Sequence, residues 1–121
     1  DIYPTLNALC GLPVNKMNEG HSLVPLLNNP ASTRWKHVAI TSYGKGNISV
    51  TSKKFQLIQY EDNSTELYDL AADPNEWKNL AGNIKYKKVI KSLQKHIPVN
   101  QAKLSSDSKY GINEYFRSLT K

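Results

Sequence analysis

At 121 residues the chain is sized for one domain or the end of a larger one, and a hydrophobic content of 39% allows a modest core. Sixteen basic against ten acidic residues give a formal charge of +6, much of the excess lying between Lys85 and Lys95, which suits a polyanion or simply a solvated helix face. The lone Cys10 excludes an internal disulfide and a cysteine-rich metal cluster, and no apolar run approaches the length that crosses a bilayer.

In chain order, residues 1–12 read as a helix. Ile2, Leu6 and Leu9 with Cys10 recur at helical spacing, Pro4 is tolerated in a first turn, and Gly11 is a suitable stop. Cys10 falls on the apolar stripe and reads as a small buried hydrophobe. Residues 13–34 are broken by Pro13, Gly20, Pro25 and Asn28-Asn29-Pro30, leaving room for one helical turn at 22–27 with Ser22 as its cap. From Trp35 the period changes to that of strands. Four short runs, 37–43, 47–51, 55–60 and 65–70, are separated by Gly44-Lys-Gly46, Ser52-Lys-Lys54 and Glu61-Asp-Asn-Ser64, each short enough for a hairpin. Strands joined this way form an antiparallel meander that needs a cover on one face.

After the fourth strand, Asp73 precedes Pro74 and stands three residues before Glu76. That order predicts a capped helical turn, with Asp73 and Glu76 as a capping box and Ala72 and Trp77 as a weak hydrophobic staple. The cover for the sheet is predicted at about 84–97, where Tyr86, Val89, Ile90, Leu93 and Ile97 form an apolar stripe and the lysines face away. Pro98 ends that helix. Beyond it, Tyr110, Ile112, Tyr115, Phe116 and Leu119 have the spacing of a short terminal helix. The fold class is therefore α+β: a four-stranded antiparallel meander packed against a C-terminal amphipathic helix.

The segment Glu66-Leu-Tyr-Asp-Leu-Ala-Ala-Asp-Pro-Asn-Glu-Trp-Lys-Asn-Leu-Ala81 resembles the C-terminal region of the sulfatase family. Three further segments are similar in order and spacing: Asp1-Ile-Tyr-Pro-Thr-Leu through Pro13, Gly20-His-Ser-Leu-Val-Pro-Leu-Leu27, and Trp35 through Tyr60. Together they cover residues 1–81, with the bacterial choline-sulfatase and iduronate-2-sulfatase group as the nearest in flavour. The resemblance implies three parts: 1–34 as the tail of an α/β catalytic domain lying upstream, its last helix first, 35–97 as the C-terminal subdomain, and 98–121 as a tail. It also implies a sulfuric ester hydrolase, a sulfated small molecule or glycan as substrate, and a periplasmic or secreted setting. Sulfatases use a formylglycine made within a Cys-x-Pro-Ser-Arg signature and a calcium ion held by Asp and Asn side chains. Here Cys10 is followed by Gly-Leu-Pro, so both groups are expected only upstream, and these residues alone are expected to be inactive.

Within the chain no catalytic residue is assigned, since Asp69, Asp73 and Glu76 have turn and cap duties and no nucleophile beside them. The three histidines, His21, His37 and His96, lack metal-ligand spacing, so no metal is assigned. The substrate-contacting expectation rests on Tyr43-Gly-Lys-Gly-Asn47, where two glycines let backbone approach a ligand and Lys45 offers a mobile positive charge. Ile48 and Thr51 stand where related sulfatases often carry His and Arg, which removes two polar contacts, and the glycines could equally serve only a hairpin turn. His21 is added as a titratable group near the family's domain junction. Two other readings compete with the enzyme subdomain. One is a free-standing basic module binding nucleic acid or a sulfated polysaccharide; nucleic acid is disfavoured because Tyr86 is the one aromatic among the lysines and the core claims it. The other is a non-catalytic sulfatase relative with a packing role.

Overall fold

The structure, a computed structural model, describes residues 1–101, and the terminal helix expected around Tyr110, Ile112, Tyr115, Phe116 and Leu119 lies outside the described residues. The chain divides after His37 into two compact units.

In the first unit, helix α1 spans Ile2–Leu9 and a short helix α2 spans Val24–Asn28. Helix α1 stops because Gly11 takes φ +68°, the left-handed conformation that a glycine reaches without strain. Cys10 at the C-cap is exposed, so the expectation of a buried thiol is corrected: the helix ends before a further turn could fold Cys10 inward. Thr5, the buried residue of α1, ties the unit together. Its hydroxyl donates to the Asp1 carbonyl at 2.6 Å and accepts the Leu23 N–H at 2.9 Å. Helix α2 is capped at Leu23 with no side-chain cap bond, whereas the sequence had Ser22 there; the Ser22 hydroxyl accepts the Val24 N–H at 3.4 Å, a local turn rather than a helix cap.

The second unit is the expected meander. Strands β1 (Ala39–Ser42), β2 (Ile48–Thr51), β3 (Phe55–Gln59) and β4 (Thr65–Asp69) form one sheet in the order β1-β2-β3-β4, every pair antiparallel. Register follows the apolar alternation: Val50 pairs with Leu57 and Leu57 with Leu67, so these side chains share one face and are the most deeply buried of the unit. A 3-10 turn at Ile84–Tyr86 leads into helix α3 (Lys87–Gln94), which lays Leu93 on that face with Tyr86, Val89, Ile90 and Ile97 around it. Each fully buried aliphatic contributes up to ~1.5–3 kcal/mol, which fixes the helix on the sheet. Helix α3 gives way to single turns before Pro98, with Lys95 as its C-cap.

The capped helical turn after β4 does not form. Glu76 takes φ +56°, outside helical space, and its carboxylate accepts from the Gln56 amide at 3.3 Å instead of reaching back to Asp73. Trp77 is 85% exposed, so there is no staple. The competing demand is the sheet edge: Asn79 Oδ1 accepts the Leu67 N–H at 3.1 Å and the Leu80 N–H donates to the Leu67 carbonyl at 2.8 Å. Residues 79–80 must run extended beside β4 to satisfy a buried strand, and a helix could not do so.

Candidate functional site

The loop between β1 and β2 is a closed turn in which Tyr43 N–H donates to the Asn47 carbonyl at 2.9 Å. Gly44 (φ +70°) and Gly46 (φ +85°) both lie in the left-handed region that favours glycine. Gly46 also has a packing reason: a side chain there would stand 2.8 Å from the Glu61 Cα. Glu61 belongs to the β3–β4 turn, and its N–H donates to Asn47 Oδ1 at 3.3 Å. The Gly46 N–H in turn donates to Gln101 Oε1 at 2.7 Å. The two hairpin turns are thus locked together, with Gln101 as a strap.

Lys45, Gly46, Tyr60, Glu61 and Gln101 are among the residues lining an open hollow of about 850 Å³. Lys45 and Tyr43 are exposed, with Tyr43 at 62%. Asn47 is half-buried, and one face of its amide is spent on Glu61. Three of the four residues expected to meet substrate, Tyr43, Lys45 and Asn47, therefore stand on one turn, in which the Asn47 side chain is bonded to Glu61 and Lys45 is exposed.

Beside this turn, on the sheet face away from α3, lies a carboxylate–phenol cluster that the sequence did not announce. Tyr68 Oη donates to Glu66 Oε2 at 2.9 Å. That bond, with burial second, holds the phenol proton so firmly that its pKa is pushed up to about 12. Burial, followed by the same Glu66 carboxylate, also raises Tyr60. Across the turn, Asp62 accepts the Ser64 hydroxyl at 2.6 Å and N–H at 2.9 Å, bonds that lower its pKa. The Glu66-x-Tyr68 spacing in β4, two residues apart and so on one face of a strand, is the one signal that could have pointed to this pair.

The fourth expected residue, His21, belongs to the first unit. Its N–H donates to Asp1 Oδ1 at 2.7 Å, and its ring stacks on His37 with centroids 3.7 Å apart; Trp35 meets His37 edge-on at 4.8 Å. That pairing could not be read from residues sixteen apart. A hollow of about 700 Å³ opens beside Arg34, Trp35 and His37. Asp69 has a structural duty, accepting the Ala71 and Ala72 N–H groups and the Lys54 ammonium at 3.5 Å.

The model of the N-sulphoglucosamine sulphohydrolase C-terminal family matches residues 1–103. A sulfatase of Formosa agariphila is 42% identical over 95% of this chain and 22% of its own length. A Delta 4,5-hexuronate-2-O-sulfatase of Bacteroides thetaiotaomicron is 33% identical over 74% of the chain and 20% of its own length. Among solved structures, a protein in complex with its substrate D-glucosamine-2-N,6-O-disulfate superposes with a TM-score of 0.64 at 28% identity, over 78% of this chain and 22% of that one. A 2-O GAG sulfatase also superposes, with a TM-score of 0.63 at 23% identity, over 100% of this chain and 25% of that chain. The chain belongs to the sulfatase family and corresponds to its C-terminal portion. It spans about a fifth of the length of the curated relatives that it matches.

Calcium and the formylglycine aldehyde are the groups on which sulfatase chemistry depends, and the described residues do not fit either. Among the described residues no three of His, Cys, Asp and Glu stand together as a donor set. Cys10 lies at a helix end before Gly-Leu-Pro, outside the signature that is converted. No step through either group is assigned to these residues.

Proposed function

We propose that this chain forms the C-terminal subdomain of a sulfuric ester hydrolase acting on a sulfated glycan, and that the turn from Tyr43 to Asn47 lines the approach to the sulfate being removed. The observation that carries the reading is the double locking of this turn by Glu61 and Gln101. A turn held from two sides presents Lys45 at low entropic cost, and a compact ammonium on a flexible stem suits a sulfate or carboxylate arriving from solvent. The acid–base and nucleophilic work, with calcium and formylglycine, belongs to the α/β catalytic domain of such an enzyme. This subdomain supplies packing and part of the pocket rim. The sulfated substrates named for the relatives favour a glycan, and His21, whose N–H donates to Asp1 Oδ1 in the first unit, is proposed as a separate substrate contact.

The test is a graft. Residues 1–121 replace the matching segment of the Formosa agariphila sulfatase, and turnover of sulfated oligosaccharides is measured. Activity within about tenfold of the parent is expected, with Lys45→Ala in the graft raising KM up to about fivefold at nearly constant kcat, the range for one exposed charge. A folded, soluble graft without turnover overturns the reading in favour of a non-catalytic packing role.

A further inference from the structure

The six lysines between Trp77 and Gln101 equal the whole formal excess of charge on this protein. That stretch contains no Asp or Glu, and the remaining residues are balanced. Lys85, Lys87, Lys88, Lys91 and Lys95 are all exposed. Lys87, Lys91 and Lys95 follow one another at four-residue steps, so they form a single row with neighbours ~5–6 Å apart, and Lys88 stands beside it. Among the described residues the ion pair is Lys54 with Asp69, so none of the five has a carboxylate partner there.

This placement works against the helix that bears it. Lys87 and Lys88 occupy the first turn of α3, where the dipole repels cations by ~0.3–1 kcal/mol each at low ionic strength. The pairs Lys87–Lys91 and Lys91–Lys95 each add a like-charge repulsion of ~0.2–0.5 kcal/mol. A helix face made only for solubility would mix signs. Against the row lies an open hollow of about 320 Å³ lined by Ile84 and Ile90, Asn83 and Gln94, and Lys87 and Lys91. Ile84 is 76% exposed. Apolar, amide and ammonium groups side by side are the groups that meet a sugar ring carrying sulfates.

We infer that the Lys87–Lys91–Lys95 row is a second anion-binding surface, taking a sulfated polysaccharide at sulfates other than the one hydrolysed. This rests on the proposed function above and adds to it a preference for polymer over short substrate. A duplex or single-stranded nucleic acid fits less well. The aromatic within the row is Tyr86, which packs edge-on to Phe55 at 6.0 Å and offers no base a stacking face. Lysine also lacks the bidentate fork with which arginine reads phosphate and base edges.

The experiment measures binding of a heparin octasaccharide, a heparin disaccharide and a DNA duplex of matched charge to the purified protein, at low and physiological salt. The variant Lys87→Gln/Lys91→Gln/Lys95→Gln is compared with Lys16→Gln/Lys36→Gln/Lys53→Gln, which removes the same charge elsewhere. The row variant is expected to weaken octasaccharide binding about tenfold, from three exposed contacts, and to flatten its salt dependence, with the control losing less than about threefold. Disaccharide binding stays unchanged, and Lys87→Arg/Lys91→Arg/Lys95→Arg keeps octasaccharide affinity. Equal losses in both glutamine triples, or DNA binding as tight as heparin at the same salt, overturn the inference. An inactive graft with an intact octasaccharide difference sinks only the enzymatic reading, whereas an active graft with equal losses sinks only the row.

Discussion

Tyr68 shows how one hydrogen bond sets a titration. Its phenol donates to the Glu66 carboxylate, and the folded pKa of about 12 stands above the ordinary value of 10. The protonated phenol is therefore the form that the fold favours. Its stabilising contribution is complete below about pH 10 and is lost as pH rises through about 12. Tyr68→Phe should flatten the fall of stability in that window, as followed by urea unfolding at stepped alkaline pH; an unchanged slope would refute the linkage. Asn79 is a second residue with a single duty, its Oδ1 accepting the N–H groups of both Leu67 and Ala81. Asn79→Ala strands the buried Leu67 donor and should cost ~1–3 kcal/mol by chemical denaturation, with Asn79→Asp recovering most of it. These duties explain why the Asp73–Glu76 spacing misled. A capping pattern is local, and the edge of β4, whose Leu67 is bonded by Asn79 and Leu80 twelve and thirteen residues on, decided the backbone instead.

At the level of elements the sheet was legible because its signals are short-ranged. Period-two alternation and three turn sequences fixed four strands to within one or two residues, and the stripe from Tyr86 to Ile97 marked the helix that covers them. Less was legible at the site. The sequence offered Tyr43, Lys45 and Asn47 as a flexible-looking glycine turn, while the contacts that make it rigid come from Glu61 and Gln101, fourteen and fifty-five residues away from their partners. The His21–His37 stack and the Glu66–Tyr68 pair were hidden for different reasons, one by chain distance and the other because a single Glu-x-Tyr has no distinctive meaning. Helix α3 meets the core chiefly through Leu93, its buried residue. Leu93→Ala should destabilise the protein by ~2–5 kcal/mol in urea unfolding, with the sheet dichroism lost in the same transition; a loss below ~1 kcal/mol would show that α3 does not share the core.

For the molecule as a whole, one apolar stripe lies on α1, where Ile2, Leu6 and Leu9 are all uncovered among the described residues. The purified chain should bind a hydrophobic dye, and Leu6→Ser/Leu9→Ser should remove most of that signal; strong dye binding by the double variant would place the patch elsewhere. The two margins of the sheet differ in an equally telling way. Along β4 the Leu67 amide and carbonyl and the Asp69 carbonyl are already taken by Asn79, Leu80 and the turn at Ala72 and Asp73. Among the described residues β1 is the margin without such partners. Two copies meeting there would align their β1 strands about a twofold axis, so association through that edge alone closes at a dimer and does not propagate into a fibre.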